Sequence, residues 1–369
     1  MQSSKTLLNK RLLLISRPHG NPKAEDFLLD EKYISNIPPN GGLIIQNLFI
    51  SIDPAMRGWM SSAKSYLPPV KLNNVMRAST VGKVITSDTS RFPVGSFVRY
   101  EDGGVQSYTI ISEKNLKFLF MLDKSMLPSN SSFSIFLGVL GTTGLTAYFG
   151  LLRVGLPKAG DTVLISGAAG ATGSVVAQIA KIKGCKVVGT AGSDEKCRWL
   201  KDNNLVDIAI NYKSNPGKLL SKAIREACPK GVNVIFDNVG SEFLEAALSN
   251  LARGARVVLC GAISQYNSQG SSLSTITGPR NYMNLLVKRA SMEGFVVFDY
   301  RKEYSAAIRE LSYWISSGKL KYREDIMDGI ENFYPALMSL FTGRNKGKML
   351  LRLTKENEID AVTSLRSKL

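Results

Sequence analysis

The sequence has very little of the chemistry that holds a catalytic metal ion. Its only histidine is His19, it contains no GHE triplet, and its cysteines form no CxxC pair or cluster. Zinc alcohol dehydrogenases need cysteine, histidine and glutamate ligands, so we expect no metal site. The widely spaced cysteines are typical of reduced thiols inside a cell. They are Cys185, Cys197, Cys228 and Cys260.

Long apolar runs and runs of one charge are also missing. No segment approaches the ~18 consecutive apolar residues of a membrane span, so we expect no such span. The chain has 47 lysine and arginine residues against 30 acidic residues, a formal net charge of +17. A basic surface attracts nucleic acid, anionic membranes or anionic cofactors. Because the basic residues are dispersed, the pattern favours a solvated basic surface over a nucleic-acid site.

The chain of 369 residues is too long for one ordinary core, so we expect two domains. Residues 1–136 contain short apolar runs broken by proline and glycine, which is typical of a β-rich unit. From residue 137 onward, strand-like and helical apolar patterns alternate. This alternation predicts an α/β domain with a doubly wound parallel sheet over residues 137–317.

One glycine-rich segment is placed where a dinucleotide fold needs it. SGAAGATGSVVAQIAK, Ser166–Lys181, follows the strand-like run DTVLI and opens a helical pattern. Gly167 allows a tight turn, Gly170 lets the backbone approach a pyrophosphate, and Gly173 lets the helix pack close to the sheet. The pyrophosphate then faces the amides at the helix N-terminus. The predicted cofactor-binding residues here are Gly167, Gly170, Ala171, Thr172 and Gly173, with Gly192 after the second strand.

The second strand of the series indicates which cofactor binds. It reads KVVGTAGS and carries no acid at its tip, where an NAD enzyme usually has one for the ribose 2′-hydroxyl. Asp194 and Glu195 come later, in a helical first turn where acids also suit the helix dipole. Lys196 follows and is able to pair with a 2′-phosphate. Its spacing alone is equally consistent with a solvated lysine, but the charge pattern favours NADPH.

Several segments of the chain resemble a known family, the zinc-independent medium-chain dehydrogenase/reductases. Within it, the chain is similar to the prostaglandin/leukotriene reductases and 2-alkenal (double-bond) reductases. AGSDEK and CGAISQYN are specific to this branch. The matching segments are ISIDPAMRGWM, SYLPPV, VGKVI, LGVLGTTGLTAYFGL, SGAAGATGSVVAQIAKIKGCKVVGTAGSDEK, INYK, FDNVG, CGAISQYN and GRNKGK.

The resemblance implies a domain organisation. Residues 1–136 look like a GroES-like catalytic domain, residues 137–317 like an NADPH-binding Rossmann domain, and residues 318–354 like a return to the catalytic domain. Residues 355–369 form an additional polar tail. The family also suggests a homodimer built by edge pairing of strands from the nucleotide domain.

The resemblance also implies cofactor contacts. The family's contacts with the 2′-phosphate fall on Lys196 and Tyr212. Asn238 and Cys260 lie at the carboxyl ends of predicted strands, where the nicotinamide half should bind. Asn345, in GRNKGK, matches a further cofactor contact.

Without zinc or a catalytic histidine, tyrosine hydroxyls and backbone amides remain to polarise the substrate. Tyr266, in SQYN, matches a tyrosine near the nicotinamide ribose and the substrate carbonyl, so it is the predicted catalytic residue. Thr143, with its neighbour Thr142, either packs or touches the nicotinamide. Tyr66, in SYLPPV, either lines the substrate cleft or packs on the surface.

Two departures from the family pattern concern the substrate. Ala55 stands where the family commonly has tyrosine or another bulky residue, which would open space in the cleft. In MRASTVGKV, Met76–Val84, the glycines usual before VGKV are replaced by Ala, Ser and Thr. Met76 and Arg77 could refill the opened space. These changes do not affect the assignment of the cofactor, but they leave the identity of the substrate open.

The reaction implied by the resemblance is NADPH-dependent reduction of the C=C bond of an α,β-unsaturated aldehyde or ketone, with hydride delivered to the β-carbon. Two alternatives remain. One is an NADPH quinone reductase, because the space at Ala55 could admit a ring. The other is a non-catalytic NADPH-binding or RNA-binding protein, which the basic charge permits.

The printed chain ends in SKL. Ser367, Lys368 and Leu369 form a peroxisomal address when they stand free at a C-terminus, so we expect recognition by the peroxisomal import receptor. The alternative is a chance ending on a cytoplasmic enzyme.

Overall fold

The computed structural model describes residues 6–128, 131–268 and 278–354. The described chain separates into two compact units. The first unit comprises described residues of Met1–Leu137, Asp325–Thr342 and Met349–Leu369, and the second those of Gly138–Glu324 and Gly343–Lys348. This division differs at residues 137, 318–324 and 343–348 from the boundaries expected from the sequence, and the functional domain boundaries stay a prediction. The targeting residues Ser367, Lys368 and Leu369 lie outside the described residues.

The first unit is rich in antiparallel β-structure, as the sequence predicts. Its strands are β1 (Thr6–Leu14), β2 (Phe27–Ser35), β3 (Leu43–Ser51), β4 (Asn74–Val75), β5 (Thr80–Ser87), β6 (Phe97–Tyr100), β7 (Tyr108–Ile111) and β8 (Leu119–Met121). Late in the chain come β15 (Glu324–Asp328) and β16 (Lys348–Arg352), and the helices are α1 (Met56–Met60) and α9 (Phe333–Thr342). One sheet has the order β2-β1-β4; the other has the order β15-β16-β3-β5-β6-β8, with β7 also paired to β3.

Strand β3 is central in the larger sheet because its sequence, LIIQNLFIS, is apolar on both faces. It pairs antiparallel with β5, β7 and β16. Asn47, a buried polar side chain of this strand, donates to the carbonyl oxygen of Gln106 at 2.9 Å and to Oγ1 of Thr109 at 2.8 Å. These bonds satisfy the two N–H donors of the buried amide.

The second unit contains the predicted doubly wound sheet. Its strands are β9 (Thr162–Ile165), β10 (Lys186–Ala191), β11 (Ile208–Asn211), β12 (Val232–Asp237), β13 (Leu251–Leu259) and β14 (Ser291–Gly294). They are parallel, in the order β11-β10-β9-β12-β13-β14. The helices are α2 (Thr142–Phe149), α3 (Ala171–Ile182), α4 (Asp194–Asp202), α5 (Lys218–Ala227), α6 (Ser241–Leu248), α7 (Met283–Lys288) and α8 (Tyr304–Ser316).

The strand order places a ligand-binding position at one edge of this sheet. Going from β9 the chain moves outward to β10 and β11, then returns to β12 on the other side of β9. Ligands of such sheets bind at the carboxyl ends of the strands where this order reverses. In this unit that point lies between β9 and β12, which pair in register from Val163↔Val234 to Ile165↔Phe236.

Helices α2, α7 and α8 lie outside the alternating series seen in the sequence. Helix α2 continues into a π-helical segment, Gly150–Gly155. A Cβ at Gly150 would lie 2.5 Å from the Phe295 ring, so the close packing there requires glycine. Across the described residues, no helix combines the length and apolarity needed to cross a membrane.

Candidate cofactor-binding and active site

The glycine motif forms a tight turn between β9 and α3. Gly167 adopts a left-handed conformation with φ of 58°, and its carbonyl oxygen accepts a hydrogen bond from the Gly170 amide at 2.9 Å. A Cβ at Gly173 would lie 2.3 Å from that same oxygen, so a side chain cannot be accommodated there. Helix α3 begins directly after the turn, with Ala171 and Thr172 as its first residues. The first amides of a helix have no intrahelical acceptor, which suits them to a phosphate.

Ser166 and Asn238 join the carboxyl ends of β9 and β12 at the point where the strand order reverses. The Ser166 hydroxyl accepts a hydrogen bond from the Asn238 amide at 2.7 Å, and the Asn238 side-chain amide donates to the Ser166 carbonyl oxygen at 2.7 Å. The structure thus places Asn238 at the edge predicted for the nicotinamide half. Its side chain holds the start of the glycine turn.

Asp237 is a fully buried carboxylate that sequence reasoning missed. It accepts hydrogen bonds from the Ser166 hydroxyl at 2.8 Å, from the Val239 amide at 2.9 Å and from the Gly240 amide at 3.0 Å. Burial raises the pKa of Asp237, and the two amides and the hydroxyl oppose that rise. The signal in the sequence that could have identified it is an aspartate at the end of an otherwise apolar strand. A carboxylate buried with such a strand needs several hydrogen-bond donors.

Residues 260–264 run beside residues 237–239 and bring Tyr266 to the same edge. The amides of Cys260 and Gly261 donate to the Asp237 carbonyl oxygen at 2.9 and 3.1 Å. Tyr266 begins a short 3₁₀ turn, Tyr266–Ser268, and is half-buried. Its hydroxyl oxygen accepts a hydrogen bond from the Ala262 amide at 3.2 Å. The predicted catalytic tyrosine and Cys260 therefore lie on one short segment.

The thiol of Cys260 is not poised for nucleophilic chemistry. Burial of the thiol, with a smaller contribution from Asp237, raises its pKa to about 12, although part of the residue is exposed. A protonated thiol is a poor nucleophile. Cys260 is therefore not suited to act as a nucleophile, and its contact with the cofactor stays a prediction.

At the other end of the expected cofactor, Gly192 and Tyr212 are in close contact after β10. A Cβ at Gly192 would lie 2.9 Å from the Tyr212 hydroxyl oxygen, so the tyrosine ring occupies the space that a side chain would fill. The Tyr212 amide donates to the Ala191 carbonyl oxygen at 3.1 Å, and burial raises the pKa of its phenol. Tyr212 remains 39% exposed and is able to meet a ligand.

The segment Gly343–Lys348 lies against the start of α4. The Lys196 ammonium donates to the Gly343 carbonyl oxygen at 2.8 Å, and Lys346 forms an ion pair with Glu195 at 2.8 Å. Asn345 lies in sequence between Gly343 and Lys346, and its side-chain amide donates a hydrogen bond to the Gly347 carbonyl oxygen at 2.8 Å. The structure thus brings Lys196 and Asn345, which are far apart in sequence, to one corner.

These groups fit NADPH. The glycine turn and the start of α3 offer amides to a pyrophosphate, and a Cβ at Gly170 would lie 3.1 Å from the Gly167 carbonyl oxygen in this cradle. No carboxylate stands at the tip of β10, and Glu195 beyond it is neutralised by Lys346. Lys196 and Tyr212 would hold the 2′-phosphate, and Asn238, Cys260 and Tyr266 would face the nicotinamide half.

Thr143 lies at the start of α2, where its hydroxyl donates to the Gly138 carbonyl oxygen at 2.8 Å. This bond secures the helix N-terminus. A Cβ at the adjacent Gly144 would lie 1.8 Å from the Val139 carbonyl oxygen, so the chain is tightly folded there. A contact between Thr143 and the nicotinamide stays a prediction.

The predicted substrate residues lie in the first unit. Ala55 immediately precedes α1, and Tyr66 is 56% exposed. Met76 is fully buried in the core of this unit. Arg77 donates to the Pro68 carbonyl oxygen at 2.9 Å and lies over the Trp59 ring. Arg77 is thus held near the SYLPPV segment, whereas Met76 belongs to the core; the roles of Ala55 and Tyr66 stay predictions.

Within residues 6–128, 131–268 and 278–354, no group of three or more His, Cys, Asp or Glu side chains is arranged to hold a metal ion.

Comparisons with known proteins agree with this architecture. A family described as "N-terminal domain of oxidoreductase" matches residues 10–119, and one described as "Zinc-binding dehydrogenase" matches residues 171–313. The NADPH-dependent curcumin reductase of Escherichia coli is 37% identical over 350 residues, 95% of this chain and 98% of that protein. Prostaglandin reductase 1 of Bos taurus is 40% identical over 336 residues, 90% of this chain and 95% of that protein.

Among solved structures, CurA from Vibrio vulnificus in complex with NADPH matches with a TM-score of 0.84. It is 39% identical, and the match covers 94% of this chain and 99% of that one. The parallel sheet, its glycine turn and these relatives define a nucleotide-dependent oxidoreductase. More narrowly, the chain belongs to the zinc-independent medium-chain dehydrogenase/reductases and is an NADPH-dependent reductase of the prostaglandin, alkenal and curcumin reductase type.

Proposed function

We propose that this protein reduces the C=C bond of α,β-unsaturated aldehydes and ketones with NADPH. The observation that carries the proposal is the placement of Tyr266. Its hydroxyl oxygen accepts the Ala262 amide, on a segment bonded to the carboxyl end of β12. The carboxyl end of β12 is also where the nicotinamide half is expected. A hydrogen-bond donor is thereby held beside the expected position of the reacting groups.

Bound NADPH would supply a hydride, that is, a hydrogen nucleus with two electrons. When the substrate's β-carbon accepts it, the π electrons of the C=C bond shift and negative charge develops on the carbonyl oxygen. Tyr266 donates its hydroxyl hydrogen to that oxygen and stabilises the charge. A proton then reaches the α-carbon from Tyr266 or from water, which restores the carbonyl group and gives the saturated product.

The relatives support the substrate class, and Ala55 bears on the size of the substrate. The relatives are named for curcumin, for prostaglandins and for 2-alkenals. Ala55 leaves more room than the bulky residue common in the family, which favours substrates larger than short alkenals. The rate of reduction depends on how the reacting carbons of the bound substrate are oriented toward the cofactor.

The test is NADPH oxidation, followed by absorbance, with 2-alkenals, cyclic enones, acyl-chain enones and quinones, and with NADH in parallel. We expect turnover of enals or enones with the saturated carbonyl as product. Formation of hydroquinone alone would favour the quinone reductase. Tight NADPH binding without turnover, together with steeply salt-dependent RNA binding, would favour the non-catalytic protein.

We further propose a homodimer formed through the β14 edge of the second unit. Within the described residues β14 is the last strand of its sheet, and the neighbouring helix α7 presents apolar side chains to solvent. Leu286 is 70% exposed and Val287 is 59% exposed. A second copy would cover this surface.

Leu286→Arg should shift the protein toward monomer in analytical ultracentrifugation. Leu219→Arg, which changes an exposed leucine on α5, should not. A monomeric unmodified protein would contradict the proposal.

Peroxisomal targeting by Ser367, Lys368 and Leu369 is a separate proposal, since these residues lie outside the described part of the chain. An N-terminal fluorescent fusion should collect in peroxisomes and become diffuse when Leu369 is deleted. A diffuse signal that deletion leaves unchanged would support a cytoplasmic enzyme instead.

A further inference from the structure

The segment that carries Tyr266 contains a glycine whose role is not conformational. Gly261 does not adopt the left-handed backbone conformation that favours glycine. It lies directly after β13 and Cys260, and its amide donates to the Asp237 carbonyl oxygen at 3.1 Å. Every residue except proline has the backbone amide to make this bond, so what distinguishes glycine here is the space around its α-carbon.

That space is occupied by the hydroxyl group of Tyr266. A Cβ at Gly261 would lie 3.0 Å from the Tyr266 hydroxyl oxygen and 3.3 Å from the Asn238 carbonyl oxygen. The third-nearest atom is the Asn238 carbonyl carbon at 3.9 Å, so every carbon of the tyrosine ring is at least that distant. The close contact therefore involves the phenol oxygen and not the ring.

Of the two close neighbours, Tyr266 is the one able to move. The Asn238 carbonyl belongs to a backbone held from both sides, because the Asn238 amide and side chain bond to Ser166 at 2.7 Å and the Ile263 amide donates to its carbonyl oxygen at 3.2 Å. The Tyr266 hydroxyl is the far end of a side chain on a short turn. A larger residue at position 261 would displace that hydroxyl by a few tenths of an ångström.

The same displacement would disturb the hydrogen bond from the Ala262 amide. That bond, 3.2 Å long, uses a lone pair of the hydroxyl oxygen and not the hydroxyl hydrogen. It therefore orients the phenol in a way compatible with donating its hydrogen to a substrate oxygen. Gly261 and the Ala262 amide together define where the hydroxyl lies.

We propose that Gly261 is a positioning residue: the absence of its side chain sets the place of the Tyr266 hydroxyl against the Ala262 amide. This inference rests on the proposed function, in which that hydroxyl stabilises the developing charge of an enone. It predicts that residue 261 affects turnover only through the phenol oxygen of Tyr266.

The test is a double-mutant cycle of Gly261→Ala and Tyr266→Phe. Each variant is measured for kcat/KM with an enone, for NADPH affinity by fluorescence and for Tm. Gly261→Ala should lower kcat/KM roughly tenfold, because small misplacements of catalytic groups are costly, and should lower Tm by about 2 °C. NADPH affinity should stay within about twofold.

In the Tyr266→Phe background both losses should disappear, since the atom in close contact is gone. Equal losses in the two backgrounds would show that the alanine acts on the Asn238 carbonyl and would overturn the proposal, as would no loss in the unmodified background. Should Gly261→Ala alone fail to fold, folding of the double variant supports the proposal and failure of both overturns it. Gly294→Ala is the control: its Cβ would meet no described atom within 4 Å, so we expect no coupling to Tyr266→Phe.

The Tm and NADPH measurements separate this proposal from the proposed function. If the unmodified protein reduces no enal or enone, the proposed function fails. The stability coupling between residues 261 and 266 still decides whether the phenol oxygen occupies the space beside Gly261.

Discussion

The ammonium nitrogen of Lys346 lies 2.8 Å from Oε1 of Glu195, although the two residues are 151 positions apart. The hydrogen bond and the charge of Lys346 lower the pKa of the Glu195 carboxyl group, which is therefore ionised at neutral pH. This pair places a neutralised carboxylate, not a free one, beside the corner where Lys196 would receive a 2′-phosphate. We therefore predict that the segment Gly343–Lys348 takes part in cofactor selection.

Replacing Lys346 with Met should weaken NADPH relative to NADH by about threefold at low salt, the scale of an exposed ion pair. The reason is that an unpaired Glu195 would repel the 2′-phosphate, which NADH lacks. Affinities for both cofactors, measured by fluorescence at two salt concentrations, check this. Adding Glu195→Gln should restore the original preference; a change of equal size for both cofactors would contradict the role of this pair.

Lys196→Ala should weaken NADPH roughly tenfold or more, because a charge-assisted hydrogen bond would be lost. NADH should be affected far less. The ratio of KM values for the two cofactors is the measurement. Lys201→Ala is the matched control on α4, since Lys201 instead donates to the Asp207 carbonyl oxygen at 2.8 Å. Equal weakening of both cofactors by Lys196→Ala would argue against a contact with the 2′-phosphate.

Local patterns were enough to predict the parallel sheet and its glycine turn. Strands such as TVLI and VNVIFD are short apolar runs, and Gly167, Gly170 and Gly173 reflect steric limits acting within seven residues. The absence of an acid at the end of β10 is likewise visible in a few adjacent residues. These features therefore appear in the sequence as periodicity and spacing.

The remaining features depend on contacts that the sequence does not display. Asp237 meets Ser166 only because β9 and β12 become neighbours after a crossover. Lys346 meets Glu195 because the chain returns to α4 near its end. Gly261 resembles any loop glycine until the Tyr266 hydroxyl is seen beside it. Each case requires the tertiary structure.

Tyr266→Phe should lower kcat about 100-fold, because it removes the donor that stabilises the developing oxyanion. NADPH affinity should change little, since the ring is kept. Steady-state kinetics with an enone and a separate binding measurement check both statements. Tyr313→Phe, which alters an exposed tyrosine on α8, should have no effect on kcat. An unchanged rate for Tyr266→Phe would remove this residue from the mechanism.

Two glycines of the turn should respond differently to alanine. A Cβ at Gly173 would lie 2.3 Å from a backbone oxygen, so Gly173→Ala should reduce the free energy of unfolding by about 2–3 kcal/mol. At Gly170 the corresponding distance is 3.1 Å, so Gly170→Ala should fold nearly normally but bind NADPH poorly. Urea unfolding and NADPH titration distinguish the two effects; equal losses of stability would contradict this assignment.

The stability of the folded protein should depend on pH through Asp237. Burial raises the pKa of this carboxyl group above its ordinary value of 3.8, so the folded state holds the proton more tightly than the unfolded state. The contribution of Asp237 to stability is therefore fully present below that value and is lost as the pH rises through the folded pKa. Asp237→Asn should remove this dependence, because an amide does not titrate.

The variants of Asp237 separate charge from hydrogen bonding. Asparagine keeps an oxygen for the Ser166 hydroxyl and the Val239 amide, whereas Asp237→Ala leaves these donors and the Gly240 amide without their acceptor. Asp237→Ala should therefore cost about 2–3 kcal/mol more than Asp237→Asn in urea unfolding at neutral pH. Because Ser166 also holds Asn238 at the start of the glycine turn, the alanine variant should bind NADPH more weakly as well. Equal stability of the two variants would show that Asp237 does not anchor this edge of the sheet. A stability profile of Asp237→Asn against pH that parallels the profile of the unmodified protein would contradict the titration of Asp237.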